Sequence, residues 1–383
     1  MTMVSTDQIS YLKEPLNPYI TQYDSELREN SEIESGLRYN DEENGNGIRA
    51  DWRFQRARRN NGIPSKSDVW NQYQLRQDVR HIPRDTSCQG LEYQKLIDEN
   101  VIAEHVGIVI VHKETIREAE LGTLPCIFYI HGGCRYGGTP YSGGYLERAK
   151  EWTTQFNAIV LSVDYRLSPN ESDESPTGEA PTNDCFDALM WVYDHLGLEE
   201  DDVLKYGDRT KIIVFGTSAG GGFAASTVMK WCHERRKKPG STLGDLHGLL
   251  LEAPQLDDRC NTTSHKEFKD GNMLISGDLV QGWAASLGDR RGAQDVSIFE
   301  APGRALDADV RGFPPTYIEV GTADPLRDEA KNFHEVLRRA NVEVEIELWE
   351  GGYHGFFAAV PGAAISVRCR MRKLAWLRKR LIE

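Results

Sequence analysis

From about residue 100 onward, short apolar runs alternate with longer stretches whose apolar residues recur at helical spacing. The runs are 106–111, 126–130, 158–163, 212–215, 249–251, 317–320 and 342–348, and the helical stretches lie near 145–155, 183–196, 219–236, 326–340 and 361–381. Near-continuous apolar strands separated by helices predict an α/β protein with a mostly parallel sheet covered on both faces. The last run differs. Val342, Val344, Ile346 and Leu348 alternate with Glu343, Glu345 and Glu347, which suits a strand near the sheet edge. Two regions break the rhythm. After the run at 249–251 nearly sixty residues, 255–310, precede the next recognisable strand, too long for a plain loop and suited to a lid. The first ~90 residues are crowded with Asn, Glu, Arg and Gln, with sparse anchors such as Tyr11, Leu27, Trp52, Phe54 and Trp70, and read as a peripheral layer of short helices.

Composition narrows the classes. The 383 residues carry 45 Lys and Arg against 59 Asp and Glu, a formal charge of −14, which argues against a nucleic-acid partner and against attraction to anionic lipid. No run approaches the ~18 apolar residues of a membrane span, so stable membrane insertion is not expected. The first residues have neither a basic nor an apolar leader segment, and a cytoplasmic location is expected. Seven cysteines without a CxxC pair read as free thiols in a reducing compartment, with no metal site. The tail from Arg368 to Arg380 carries seven basic residues among Met371, Leu374, Trp376 and Leu377. A packed helix with a solvated basic face is favoured over a membrane-surface helix because the chain is strongly acidic.

The candidate chemistry begins at Gly216-Thr217-Ser218-Ala219-Gly220, which follows the apolar run 212–215 and opens an Ala-rich helical stretch. A serine at such a strand-to-helix turn has its hydroxyl exposed and a helix N-terminus beside it. Ser218 is the candidate nucleophile. It needs a base and an orienting acid, in the chain order Ser, acid, His. Asp324 follows the run 317–320, and His354, in Gly351-Gly352-Tyr353-His354-Gly355, follows the run 342–348. All three fall just after the C-terminal ends of strands, where ligands collect in open α/β sheets. Asp328, inside the next helix, is the weaker rival acid. Acyl transfer also needs donors for an oxyanion. The backbone N–H groups of Gly132 and Gly133, in a glycine turn after the run 126–130, and that of Ala219 are the candidates.

Five segments then form an ordered pattern: His131-Gly132-Gly133-Cys134, Asp164-Tyr165-Arg166-Leu167-Ser168-Pro169, Gly216-Thr217-Ser218-Ala219-Gly220-Gly221, Asp324-Pro325-Leu326-Arg327-Asp328 and His354-Gly355-Phe356. Together they resemble the hormone-sensitive lipase family of α/β-hydrolases, in its GTSAGG subgroup and, loosely, its fungal esterases. The resemblance implies an α/β-hydrolase fold with a helical cap. It assigns Ser218, Asp324 and His354 as a catalytic triad, Gly132, Gly133 and Ala219 as oxyanion donors, and Asp164 and Arg166 as ion-paired structural residues. Two positions depart from the pattern: Cys134 replaces a third glycine, which puts a thiol beside the pocket, and Thr217 replaces an acidic residue. Trp283, in the 255–310 insertion, either lines an apolar substrate pocket or packs the cap.

These readings divide the chain into an N-terminal part of the cap (1–95), a catalytic core (96–254 and 311–383) and a cap insertion (255–310). They predict a cofactor-independent serine hydrolase that cleaves carboxylic esters through an acyl-enzyme on Ser218. A lactonase, acyltransferase or cyclase of secondary metabolism with the same triad is the alternative, and a non-catalytic small-molecule binder is a third. The expected partner is a small-molecule ester or lactone, and the family likeness leaves a homodimer open.

Overall fold

The computed structural model describes residues 75–83, 105–140, 144–169, 174–237, 242–269 and 274–383. An eight-stranded sheet runs in the order β1-β2-β4-β3-β5-β6-β7-β8. Its strands are β1 (Leu75–Pro83), β2 (His105–Lys113), β3 (Leu124–Ile130), β4 (Ile159–Asp164), β5 (Gly207–Thr217), β6 (Gly248–Glu252), β7 (Thr316–Gly321) and β8 (Val344–Trp349). The pairs β1–β2 and β2–β4 are antiparallel, and every pair from β4 to β8 is parallel.

Alternate residues of the central strands feed two separate cores, which is why these strands read as unbroken apolar runs. On one face Cys126, Phe128, Ile130, Val214 and Leu251 pack beneath α2 (Ala180–His195), α3 (Ala219–Lys237) and α6 (Arg327–Arg339). On the other, Ile127, Tyr129, Ile213, Phe215 and Leu250 meet α1 (Tyr145–Phe156) and the last helix, α8 (Ala364–Leu381), which follows the short α7 (Phe356–Ala359). The alternating glutamates place β8 at the end of the sheet, half-buried and paired on one side to β7. Helix α8 packs through Cys369, Lys373, Leu374, Trp376 and Leu377, so the basic tail is a packed helix. Among the described residues no helix is long and apolar enough to cross a membrane.

The boundary expected at residue 95 needs correction. Residues 75–83 form an outer strand of the core sheet, in register with β2 from Leu75–Lys113 to Pro83–His105. Arg80 of this strand is half-buried and pairs with Asp201 (2.8 Å). The rest of the expected N-terminal cap lies outside the described residues. The 255–310 insertion does follow β6 and carries α4 (Thr263–Glu267) and α5 (Ser276–Leu287). It has a small core of its own, Trp283, Leu287, Val296 and Ala301. Ion pairs Arg304–Asp258 (2.6 Å) and Arg290–Glu300 (2.8 Å) brace it. Contacts from α4 to the start of α6 tie it to the core: Arg327–Glu267 (2.7 Å), the Ser264 N–H to Asp328 (2.8 Å) and His265–Glu329 (3.1 Å). At α5 a glycine is required by space, since a Cβ on Gly282 would lie 2.3 Å from the Cys134 carbonyl oxygen.

Candidate active site

Strand β5 ends at Thr217 and α3 begins at Ala219, leaving Ser218 alone in the turn with φ of 54°. A left-handed backbone at a non-glycine residue costs of order 1–3 kcal/mol and persists only where the surroundings over-determine it. Here they do. The Ser218 N–H donates to the Glu252 carbonyl (2.8 Å), and the Ser218 carbonyl accepts from Gly221 and Gln255 (both 2.9 Å). The turn is also jammed against its neighbour, because a Cβ on Gly220 would sit 2.1 Å from the Ile130 carbonyl oxygen.

The loops after β7 and β8 bring the other two residues to the same edge of the sheet. His354 Nε2 lies 3.0 Å from Ser218 Oγ, and His354 Nδ1 lies 2.8 Å from Asp324 Oδ2. Asp324 is fully buried, and its second oxygen accepts the Leu326 N–H (2.9 Å), so the aspartate starts the following turn while it faces the imidazole. Burial pushes the His354 pKa down, but the Asp324 carboxylate, with Glu252 and Asp278 farther off, pushes it up by more, and the net shift is upward. Asp328, the rival acid, is turned away: its carboxylate binds Arg327 and the Ser264 N–H.

The glycine turn after β3 lies on the other side of Ser218. Its shape is set by His131, whose ring stacks on Tyr165 at 4.3 Å and whose Nδ1 lies 2.8 Å from the Gly132 carbonyl. The Tyr165 hydroxyl donates to the His131 carbonyl (2.7 Å), and the Gly133 carbonyl accepts from Gly137 (2.8 Å). Among the described residues no acceptor takes the N–H of Gly132, Gly133 or Ala219. Arg166, in the turn after β4, pairs with Asp184 of α2 at 2.7 Å, a partner the sequence does not indicate.

The three substrate-pocket candidates are placed differently from one another. Cys134 stands in left-handed backbone (φ 49°), packed against Leu274, Leu279 and Leu326. Burial pushes its thiol up to about 12, with Asp278 adding to the rise, so the group is a protonated thiol and not a thiolate. Thr217 turns its hydroxyl to Glu252 Oε1 (2.7 Å). Trp283 is fully buried in the core of the insertion, with the Arg135 guanidinium 4.0 Å above its ring. Its ring packs with Leu287, Val296 and Ala301.

Three further residues at the site escape the sequence reading. Arg135, fully buried, is sandwiched between Trp283 and Phe223 and donates to Ser286 Oγ (2.8 Å), joining the glycine turn to the insertion. Nothing in its sequence position signals this. Glu252 and Lys373 meet behind the Ser218 turn. The signal for Glu252 was legible, since a carboxylate closes the apolar run of β6 at the strand end where ligands collect. Lys373 is indistinguishable in the sequence from its solvated basic neighbours.

Comparison with known proteins bears on the family and the fold. A family model described as the alpha/beta hydrolase fold matches residues 127–358. The carboxylesterase NlhH of Mycobacterium tuberculosis is 31% identical over 248 residues, 63% of this chain and 70% of its own. An esterase of Acinetobacter venetianus is 28% identical over 241 residues, 62% of this chain and 70% of its own. Among solved structures, a bacterial heroin esterase superposes with a TM-score of 0.68 at 29% identity, over 87% of this chain and 94% of its own. The strand order, the turn at Ser218 and these matches together place the chain in the hormone-sensitive-lipase-like family of α/β-hydrolases.

Proposed function

We propose that the protein hydrolyses small-molecule carboxylic esters through an acyl-enzyme on Ser218. One observation carries the reading: the unbroken chain from Ser218 Oγ to His354 Nε2 (3.0 Å) and from His354 Nδ1 to Asp324 (2.8 Å). His354 takes the Ser218 proton as the hydroxyl attacks the ester carbonyl, and Asp324 orients the ring and stabilises its charge. The developing oxyanion accepts from the N–H groups of Gly132, Gly133 and Ala219, which no protein acceptor occupies among the described residues. His354 then gives its proton to the leaving alcohol, and a water activated by the same imidazole releases the acid. No cofactor enters this sequence of steps. The esterases among its relatives support an ester as the substrate class.

Turnover of short p-nitrophenyl esters tests the proposal. Ser218→Ala is expected to lower kcat by about 10⁵-fold or more, with an unchanged circular-dichroism spectrum. Hydrolysis that persists at the parent rate in Ser218→Ala overturns it.

A further inference from the structure

Directly behind the Ser218 turn four charged side chains from four different elements meet, Glu252, Glu319 and Lys373 buried and Arg148 partly so. Arg148 of α1 holds Glu252 of β6 with two bonds (2.8 and 3.2 Å), and Lys373 of α8 bridges Glu252 to Glu319 of β7. Glu319 also accepts from Tyr317 (3.3 Å) and Trp349 (3.4 Å). The quartet is neutral as a set of four full charges. Removing such ions from water is expensive, and well-packed apolar residues would stabilise the same space equally well. Stability alone therefore does not account for it.

The connections of Glu252 lead to the nucleophile. Its carbonyl accepts the Ser218 N–H (2.8 Å), and its carboxylate accepts the Thr217 hydroxyl (2.7 Å). Both sides of the Thr217–Ser218 peptide thus hang on a single residue, at the point where the backbone turns left-handed. Burial raises the Glu252 pKa, but Arg148 and Lys373 draw it well below the usual carboxylate range, so this carboxylate is ionised. Glu319 lies on the other side of the balance, raised by its burial and by the neighbouring Glu252 charge despite Lys373. Glu252 and Asp324 line one recess, together with Tyr353 and Phe356.

We propose that Glu252, clamped between Arg148 and Lys373, is a positioning residue for Ser218 that acts through the Thr217 hydroxyl. The proposal rests on the assignment of Ser218 as nucleophile. It replaces the reading of Thr217 as a pocket residue by a mechanical one, in which the hydroxyl is the link between the buried charges and the turn. A second consequence is electrostatic. The anionic groups that act most on His354 are Asp324 beyond β7, Glu252 of β6 and Asp278 of α5, and the cations Arg148 and Lys373 are paired with Glu252. Removing the Glu252 charge takes away one of the groups that favour the imidazolium.

The test compares Thr217→Val, Thr217→Ser, Glu252→Gln and Ser218→Ala in the full chain, with p-nitrophenyl butyrate as substrate and a fluorophosphonate probe as a single-turnover readout of Ser218. Thr217→Val is expected to lower kcat and the labelling rate by about 10- to 100-fold, with KM within about twofold. Thr217→Ser, which keeps the hydroxyl, recovers most of that loss. Glu252→Gln lowers kcat as well and moves the acid limb of kcat/KM to lower pH, a change that mere loosening of the fold does not produce. If Glu252→Gln fails to fold, the Thr217 pair decides alone. Parent-like kcat and labelling in Thr217→Val, with Ser218→Ala inactive, overturn the positioning role and leave the nucleophile assignment standing. Full activity in Ser218→Ala overturns both.

Discussion

Gly220 leaves no room for a side chain, and replacing it with alanine is a quantitative test of how the two halves of the proposed oxyanion hole are held. A Cβ there lies 2.1 Å from the Ile130 oxygen, 2.3 Å from the His131 oxygen and 2.7 Å from the His131 carbonyl carbon. All three are main-chain atoms of β3 and the glycine turn, so no side chain can swing aside. Contacts under 3.0 Å essentially never occur, and about 0.9 Å of separation between α3 and the turn is needed to relieve the worst of them in a close-packed interior. That movement separates the Ala219 N–H from those of Gly132 and Gly133. A donor at ~2.9 Å moved by that amount ends near 3.8 Å, beyond hydrogen-bond reach. Loss of one such donor lowers kcat by about 10²–10³-fold, and overpacking of this kind costs about 1–3 kcal/mol of stability. The assay is kcat for p-nitrophenyl butyrate alongside thermal melting. Gly220→Ala is expected to stay folded with a lowered Tm and a kcat down by at least about 100-fold. A kcat within threefold of the parent refutes the placement of the donors.

Three other outcomes follow from the same geometry. Asp324→Asn keeps the shape of the hydrogen bond but favours the wrong imidazole tautomer, and kcat is expected to fall about 10⁴-fold, whereas Asp328→Asn changes it by far less; steady-state kinetics on the two variants checks this. His354 acts as a base only when neutral, and its pKa is raised in the folded protein, so the acid limb of kcat/KM is expected above the ordinary histidine value of ~6.5. The sign for stability is the reverse: the contribution of the His354–Asp324 pair is complete below the unfolded histidine pKa and is lost as pH rises through the raised folded one, which melting curves across that window read directly. Finally, with its thiol at about 12, Cys134 is expected to resist iodoacetamide in the native protein near neutral pH and to react only after unfolding, as peptide mass spectrometry of the alkylated chain would show.

Much of this architecture was legible in the sequence because central parallel strands leave no choice of residue. The runs at 126–130 and 212–215 are apolar on both faces since each face meets helices, and the structure extends them to Leu124–Ile130 and Gly207–Thr217. Strand β8 announced its edge position through three glutamates. The C-terminal ends of β5, β7 and β8 likewise collect Ser218, Asp324 and His354, which the structure brings within hydrogen-bond reach. Strand β1 escaped because an outer strand, Leu75–Pro83, carries the polar pattern of the segment around it. Lys373 escaped for a different reason. Its partners Glu252 and Glu319 are distant in sequence, and only the packing of α8 across the sheet shows which of seven basic residues is buried. Trp283 was ambiguous between pocket and core, and the structure packs its ring with Leu287, Val296 and Ala301. A sequence pattern reports the face a residue presents, and long-range charge pairing leaves no periodic trace.

The account stands most directly on where the acyl group goes. Acid quenching during turnover of a short p-nitrophenyl ester, followed by proteolysis and peptide mass mapping, is expected to find the acyl mass on Ser218 and none on Cys134. An adduct on any other residue, or none on Ser218 under conditions where its release is slower than its formation, would contradict the mechanism.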